Sequence, residues 1–304
     1  MSNTARARLE RAHLALEGLS VGDAFGERFF GTPVLSDGVA GKLIADRTVP
    51  KGPWQYTDDT EMALAIVDVL ARRGGIVEDE LARTFGSRYL VDPARGYGEA
   101  AQKILSAITR GESWREVSQS AFDGQGSLGN GGAMRAAPVG AYFADDMEAV
   151  VVQARASAVV THAHPEGQAG AIAVAVAAAT AWSMRRAPNP EALLDAVIER
   201  TPPGETRDGL VRARALPFDT EPRKAAEELG SGARVSSADT VPFALWCAAR
   251  HLGDYAEAMW STVSGLGDRD TTCAIAGGIV SLTAGRTSIP LAWIEAREPL
   301  AFVV

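Results

Sequence analysis

The sequence predicts an all-α protein that forms a single domain over residues 1–304. Apolar residues recur at spacings of three and four along most of the chain, alanine is abundant, and alternating strand patterns are nearly absent. Hydrophobic residues make up 46% of the chain and charged residues 22%, which excludes a chain that is mainly disordered. Because no internal repeat or long linker interrupts the pattern, we expect a dozen or so helices in one domain.

The predicted helices follow one another along the chain with glycine and proline residues between them. Leu9, Ala12 and Leu16 share one face of a predicted helix over residues 5–20, and the same spacing predicts a helix over 62–71. Residues 169–181 carry almost no charge, which predicts a central helix surrounded by others. A short β-hairpin is considered for residues 34–49. Further helices are predicted over 78–91, 98–110, 131–143, 146–160, 166–184, 190–200, 206–216, 221–229, 240–251, 254–264 and 271–284.

Charge and cysteine content exclude several classes of protein. The formal net charge is −8 and the basic residues are scattered, so the sequence has no basic stripe of the kind that binds nucleic acid. Only Cys247 and Cys273 are present, which excludes a disulfide scaffold and indicates a reducing compartment. The most apolar stretch, residues 169–182, is shorter than the roughly 20 residues of a membrane span. The N-terminus does not have the pattern of a secretory signal, so we expect a cytoplasmic protein with no membrane partner.

Two short acidic motifs each precede a helical pattern. The first is Thr57-Asp58-Asp59-Thr60, and the second is Gly267-Asp268-Arg269-Asp270-Thr271. Either motif alone is explained by helix capping, because threonine and aspartate are good N-caps and acidic side chains suit the positive end of a helix. Together they offer only hard oxygen ligands, which select Mg²⁺, Mn²⁺ or Ca²⁺ over zinc, and no cluster of cysteine and histidine competes.

A meeting of the two motifs in space would place four carboxylates in one small volume. Like charges at such distances force protonation unless cations intervene. Two divalent cations would balance the negative charges of the four carboxylates. The sequence therefore predicts a site for two Mg²⁺ or Mn²⁺ ions, which in such sites lie roughly 3.5–4 Å apart.

A glycine-rich stretch over residues 124–135 runs into a predicted helix. Glycines permit a close approach of the backbone, and free amides at a helix N-terminus bind anions such as a diphosphate. The loop follows no predicted strand and has no lysine, so it is neither a Rossmann loop nor a Walker loop. Further along, His162 precedes the most apolar helix. Such a histidine is most often a structural hydrogen-bonding group, but this position also makes it a candidate to line a pocket.

Five segments follow one another along the chain: residues 22–26, 57–62, 129–138, 161–162 and 267–271. In this order they resemble motifs of the ADP-ribosylglycohydrolases, and the likeness extends from about residue 8 to Trp293. The resemblance implies an all-α fold with a dinuclear Mg²⁺ or Mn²⁺ centre. It implies a loop that cradles the diphosphate of ADP-ribose, with a nearby histidine that contacts the substrate. The implied metal ligands are Thr57, Asp58, Asp59, Asp268, Asp270 and Thr271. The implied substrate-binding residues are Ser127, Gly129, Asn130, Gly131 and His162.

The chain departs from the family pattern near the second acidic motif and near the end of the first helix. Leu266 stands where the family usually has a glycine, and Phe30 stands where many members have a glutamate. Glu27 is the nearest carboxylate and a candidate to replace that glutamate. Arg269 lies between two predicted ligands, and three roles are open: a clamp on substrate, a partner of Glu27, or a side chain in solvent. We expect the contact with substrate, because an anionic substrate needs positive charge besides the metals.

The resemblance implies hydrolysis of the bond at the anomeric carbon of an ADP-ribosyl compound, through an oxocarbenium-like transition state. We expect Asp59 or Asp268 to take the proton of the attacking water, with Glu27 as a further catalytic carboxylate. The expected partner is an ADP-ribosylated protein or a small ADP-ribosyl compound. One alternative is hydrolysis of a small ADP-ribose ester or a related nucleotide glycoside. Another is a non-catalytic, metal-stabilised relative that binds nucleotides, but the four aspartates and two threonines of the motifs argue against it.

Overall fold

The structure, a computed structural model, describes residues 3–30 and 37–301 of the chain. Within these ranges it is helical and contains no β-strand. The only extended pairings there are isolated bridges between Trp54 and Arg297 and between Gly129 and Ser236. The all-α prediction is therefore confirmed.

Seventeen α-helices are found in the part of the chain that the structure describes. The first nine are α1 (Asn3–Glu27), α2 (Asp37–Ala45), α3 (Asp58–Arg73), α4 (Glu78–Val91), α5 (Glu99–Thr109), α6 (Trp114–Gly124), α7 (Gly131–Met134), α8 (Ala137–Tyr142) and α9 (Met147–Val159). The remaining eight are α10 (Pro165–Ser183), α11 (Pro190–Arg200), α12 (Glu205–Ala215), α13 (Pro222–Leu229), α14 (Ser237–Arg250), α15 (Tyr255–Val263), α16 (Arg269–Ala284) and α17 (Leu291–Ala296).

The hairpin considered for residues 34–49 is wrong for the part that the structure describes. Residues 37–45 form helix α2 instead, and residues 34–36 lie outside the described ranges. The physical reason is a helical spacing of apolar residues, because Ala40 and Ile44 are four positions apart and both point into the core. Helix α6 was not predicted, and the helix predicted over 131–143 is divided into α7 and α8 at Arg135 and Ala136.

Helices α1 and α16 pack closely because three glycines line one face of α1. A Cβ atom added to Gly18, Gly22 or Gly26 would lie 2.2–2.4 Å from a backbone carbonyl oxygen of α16. The three carbonyls, of Gly277, Cys273 and Arg269, follow in descending order, so the two helices run antiparallel. This contact brings the C-terminal end of α1 to the N-terminal end of α16, where the second acidic motif lies.

Helix α10 is central, as its uncharged alanine-rich sequence predicts. Every residue from Ala169 to Ala181 is buried. The helix packs against α7, α8, α9, α11, α14 and α16. Close packing depends on small residues here as well, because a Cβ on Gly140 of α8 would lie 1.9 Å from the carbonyl oxygen of Ala175. Among the described residues, no helix is both long and apolar enough to cross a membrane.

Candidate active site

The first acidic motif is held in place by a buried carboxylate of α1. Asp23 accepts hydrogen bonds from the backbone N–H and the hydroxyl of Thr57, at 3.0 and 2.9 Å, and from the backbone N–H of Thr60, at 3.1 Å. The hydroxyl of Thr60 also donates to it. Thr57 is the N-cap of α3, since its Oγ1 accepts from the backbone N–H of Asp59. Asp23 therefore orients the first turn of α3.

The two acidic motifs lie together at the N-terminal ends of α3 and α16. The hydroxyl of Thr271 lies 3.4 Å from Oδ2 of Asp59, and the hydroxyl of Thr57 lies 3.2 Å from the same atom. Asp268 stands immediately before α16, and Asp270 lies in its first turn. The close packing of α1 on α16 and the bonds of Asp23 to α3 together produce this arrangement.

The carboxylates of this cluster are buried and repel one another. Burial, reinforced by the charges of Asp23 and Asp268, raises the pKa of Asp58 to about 8. The same causes hold the pKa values of Asp59 and Asp270 well above the usual range. Oδ1 of Asp59 and Oδ1 of Asp270 are buried and accept no hydrogen bond from residues 3–30 and 37–301. The cluster thus contains carboxyl groups whose ionised form needs a positive partner.

These orphaned oxygens fit divalent cations. The donors present are carboxylates and threonine hydroxyls, which are the hard ligands that Mg²⁺ and Mn²⁺ prefer. Within residues 3–30 and 37–301, no group of three or more His, Cys, Asp or Glu side chains has an arrangement that could hold a metal ion. The fit therefore rests on the two unpartnered oxygens and on the mutual repulsion of the carboxylates.

A cleft of about 780 Å³ opens beside the acidic cluster. Pockets of this size accept small-molecule ligands and cofactors. Asp58, Asp59, Asp268, Asp270 and Thr271 form one wall. The glycine-rich loop also lines the cleft, with Gln125, Gly126, Ser127, Leu128, Gly129, Asn130 and Gly131.

The glycine-rich loop is attached both to the acidic cluster and to a neighbouring segment. The side-chain amide of Asn130 donates to Oδ2 of Asp268 at 2.6 Å and to the hydroxyl of Thr240 at 3.0 Å. The backbone N–H of Asn130 donates to the carbonyl of Val235, and that of Ser237 to the carbonyl of Leu128. Asn130, predicted to bind substrate, therefore orients a predicted metal ligand in this structure.

His162 lies directly beneath the loop. A Cβ on Gly131 would lie 2.9 Å from its Cε1, and a Cβ on Gly129 would lie 3.3 Å from its Nε2. Burial, together with the nearby charge of Arg135, lowers the pKa of His162 to about 3. The imidazole is therefore uncharged at neutral pH.

Arg135 is a fully buried cation that sequence reasoning did not single out as a site residue. Its guanidinium lies over the ring of Phe85, 4.5 Å from the centroid, and donates to Sδ of Met62 and to the carbonyl of Ser157. Burial lowers its pKa to about 9, although the carboxylate of Asp58 favours the charged form. The residue lines the cleft between the acidic cluster and His162.

Glu27 lies at the end of α1 near the acidic cluster. Burial raises its pKa to about 7, and the negative charges of Asp23 and Asp268 act in the same direction. The carboxyl group can therefore hold a proton near neutral pH. Glu27 is not one of the residues that line the cleft.

Arg269 is buried, with an exposed fraction of 5%, so the solvent-facing alternative is wrong. Its guanidinium donates to the carbonyl of Phe29 and lies 5.2 Å from the ring centroid of Phe30. It is not among the lining residues of the cleft. These contacts support a structural role at the junction of α1 and α16 and give no support to the expected contact with substrate.

Three apolar side chains at the mouth of the cleft were also not anticipated. Phe122, Leu128 and Val235 are all exposed, and all three line the cleft. Phe122 and Val235 adopt left-handed backbone conformations, each with a φ of 53°, which are costly for an aromatic and a β-branched residue. Asp23 and Arg135 are the other residues that sequence reasoning left without a role. A sequence signal existed for Asp23, which is a carboxylate between small and apolar residues of α1.

The fold and the site define an all-helical protein with a cleft lined by an acidic cluster and a glycine-rich loop. A family model described as ADP-ribosylglycohydrolase matches residues 4–301, and the chain belongs to that family. The match spans nearly the whole chain, as the motifs of the sequence indicated.

Individual relatives agree with this assignment. An ADP-ribosylhydrolase ARH3 from Danio rerio is 30% identical over 320 residues, which cover 94% of this chain and 85% of the relative. The ADP-ribosylhydrolase ARH3 of Homo sapiens is 29% identical over 276 residues, which cover 80% of this chain and 74% of the relative. A solved structure described as an ADP-ribosylglycohydrolase-related protein complex has a TM-score of 0.67 at 25% identity and covers 96% of this chain. Together these findings support a hydrolase that acts on ADP-ribosyl compounds.

Proposed function

We propose that the chain is a metal-dependent hydrolase that cleaves the anomeric bond of ADP-ribosyl groups on modified protein side chains. The observation that carries this proposal is the meeting of the two acidic motifs in one cleft that the glycine-rich loop also lines. Oδ1 of Asp59 and Oδ1 of Asp270 are buried there without a partner. A binding protein without catalytic function would not need such a concentration of carboxylates.

Six residues are proposed to hold two Mg²⁺ or Mn²⁺ ions. When bound, such ions supply positive charge for the sugar hydroxyls and lower the pKa of a bound water. At the start of α3 the proposed ligands are Thr57, Asp58 and Asp59. At the start of α16 they are Asp268, Asp270 and Thr271.

The proton of the attacking water is proposed to pass to a carboxylate of the cluster, either Asp59 or Asp268. Asp268 is oriented for this role by the amide of Asn130, at 2.6 Å. Glu27 is proposed to hold or release a proton near the cluster, because its pKa is about 7. Bond cleavage builds positive charge on the ribose ring, and the surrounding carboxylates stabilise that charge.

The remaining part of the cleft is proposed to bind the rest of the ADP-ribosyl group. Ser127, Gly129 and Gly131 are proposed to hold the diphosphate, since glycines permit a close approach of the backbone to an anion. The N–H of Gly129 already donates to Oγ of Ser127 at 3.2 Å, so the free donors of the loop lie elsewhere along it. The exposed faces of Phe122 and Leu128 offer an apolar surface for the base. This remote binding would orient the ribose against the carboxylates.

The test is a panel of ADP-ribosylated substrates assayed with and without EDTA. We expect release of free ADP-ribose from at least one protein substrate, modified on arginine or serine, and loss of that release with EDTA. Release that proceeds only from O-acetyl-ADP-ribose would favour the small-ester alternative. Binding of ADP-ribose without any turnover across the panel would contradict the proposed hydrolase.

A further inference from the structure

A chain of hydrogen bonds runs from Arg135 through Thr161 to His162 beneath the glycine-rich loop. Nη2 of Arg135 donates to Oγ1 of Thr161 at 2.8 Å, and that oxygen lies 2.8 Å from Nδ1 of His162. Arg135 and Thr161 are 0% and 1% exposed, so water does not compete for these bonds. The donor and the acceptor of each hydrogen bond in this series can therefore be assigned.

The assignment follows from the guanidinium, which can only donate. Oγ1 of Thr161 must accept from Arg135, so its own proton needs a separate acceptor. Among the described residues, the only acceptor that this hydroxyl contacts is Nδ1 of His162. If Nδ1 instead carried a proton, the hydroxyl would accept twice and its own proton would be buried without a partner, which is unfavourable.

We propose that Arg135 and Thr161 are positioning residues that fix His162 as the tautomer with its proton on Nε2. The imidazole then presents an uncharged hydrogen-bond donor to the cleft. Nε2 faces the loop, because a Cβ on Gly131 would lie 3.1 Å from it, and no hydrogen bond to Nε2 forms within the described residues. Burial and the charge of Arg135 keep the ring neutral by lowering its pKa to about 3.

The identity of the group that accepts the hydrogen bond from Nε2 rests on the proposed function. A fixed donor in this position selects an oxygen of the substrate, and under the proposed function that oxygen belongs to the diphosphate. A neutral donor also makes the binding of the diphosphate independent of pH, which a histidine with an ordinary pKa would not do.

The first test reads the tautomer directly and needs no substrate. The protein has four histidines, so two-bond ¹H–¹⁵N correlation spectra of the ring nitrogens are simple, and a His162→Gln variant identifies the signals of His162. We expect a protonated Nε2 and an unprotonated Nδ1, unchanged between about pH 5.5 and 8. A protonated Nδ1, or an imidazolium that titrates in this range, would overturn the proposal.

The second test uses Thr161→Val, which keeps the shape of the side chain but removes the hydroxyl. We expect the ring nitrogens of His162 to shift toward a mixture of tautomers and the Kd for ADP-ribose to rise roughly 5- to 20-fold. Thr161→Ser should restore both. The matched control is Thr180→Val, because Thr180 is a buried threonine whose hydroxyl has no partner in the described part of the chain and which does not line the cleft.

The two tests separate this inference from the proposed function. A wild-type protein with the expected tautomer but no affinity for ADP-ribose would overturn the proposed substrate and leave the positioning role standing. A wild-type tautomer unchanged by Thr161→Val, in a protein that binds ADP-ribose, would overturn the positioning role and leave the substrate standing.

Discussion

Single carboxylates determine the chemistry of the cleft and lower the stability of the metal-free protein. Asp270 is buried in the first turn of α16, and its Oδ1 has no hydrogen-bond partner. Its pKa is raised by burial first, and then by the charges of Asp59 and Asp268. An acid with a raised pKa in the folded state destabilises the protein wherever it is ionised in the unfolded state.

We therefore expect Asp270→Asn to stabilise the metal-free protein. The amide removes one like charge, and the melting temperature in EDTA at pH 7 should rise by about 2–4 °C. The gain should shrink as the pH falls toward the ordinary pKa of aspartate, because the carboxyl group of the unfolded wild-type chain is then protonated as well and its protonation on folding no longer costs free energy. Asp145→Asn is the control, since Asp145 pairs with Arg11 and should show no gain. A lower melting temperature for Asp270→Asn in EDTA would contradict the repulsion.

Arg269 provides the second prediction for a single residue. Its guanidinium is buried against the carbonyl of Phe29 and the ring of Phe30. We expect Arg269→Ala to lower the free energy of unfolding by about 2–3 kcal/mol, because it leaves a buried carbonyl without its charged donor. The KM for the substrate should change by less than about twofold. Denaturant unfolding and steady-state kinetics measure the two effects. A KM increase without a loss of stability would instead support the expected contact of Arg269 with substrate.

At the scale of helices, the packing of α1 on α16 positions the acidic cluster. A Cβ on Gly22 would lie 2.3 Å from the carbonyl oxygen of Cys273, and neither backbone can yield easily. We expect Gly22→Ala to destabilise the protein by about 1–3 kcal/mol and to weaken the binding of divalent cations as well, because it displaces α16. Gly41→Ala in α2 is the control, since a Cβ there meets nothing within 4 Å. An unchanged metal affinity in a destabilised Gly22→Ala protein would separate the packing from the site.

The glycine-rich loop gives a different prediction because it faces His162 rather than a backbone. The added side chain of Gly131→Val would enter the space of the imidazole, since its Cβ would lie 2.9 Å from Cε1. We expect the KM to rise at least roughly tenfold while the affinity for Mg²⁺ changes little. Gly98→Val tests whether bulk in the cleft is enough, because Gly98 also lines the cleft but a Cβ there meets nothing within 4 Å. Loss of the metal with an unchanged KM would assign the loop to the metal site.

Sequence patterns predicted most of the helices, because a spacing of three and four residues reflects burial on one face. The failures have local causes. Helix α2 is short, with two glycines and few buried positions, and α6 ends in left-handed residues at Phe122 and Asp123 that no periodicity reveals. Helices α7 and α8 are separated at Arg135, whose backbone is not helical and whose charged side chain is buried.

The site was less predictable than the helices, because its contacts join residues far apart in the chain. The sequence identified both acidic motifs and the glycine-rich loop by composition. It could not show that Asp23 accepts a hydrogen bond from Thr57, which lies 34 residues further along the chain. Nor could it show that the side-chain amide of Asn130 donates to Asp268. The expected substrate contact of Arg269 followed from its position between two aspartates, whereas its direction depends on the packing of α16 against the end of α1.

At the scale of the whole molecule, the net charge of −8 and the buried carboxylates lead us to expect a stability that depends on cations. If two divalent ions bind only to the folded protein, each adds a free energy that grows with its concentration, about 2.7 kcal/mol at a hundredfold excess over its Kd. For a chain of 304 residues this corresponds to about 4 °C in melting temperature per site. We therefore expect Mg²⁺ or Mn²⁺ to raise the melting temperature of the wild-type protein by several degrees above its value in EDTA.

This shift must be distinguished from simple screening of the negative charge. Potassium chloride at the same ionic strength screens the exposed charges but offers no ion of the right kind to the buried oxygens of Asp59 and Asp270. We expect it to produce a much smaller shift. Asp58→Ala and Asp270→Ala should remain folded, lose most of the shift caused by divalent ions and lose activity, because each removes a proposed ligand with no substitute nearby. If the variants keep both the full shift and the activity at low metal concentration, the ions bind elsewhere and the proposed metal centre is wrong.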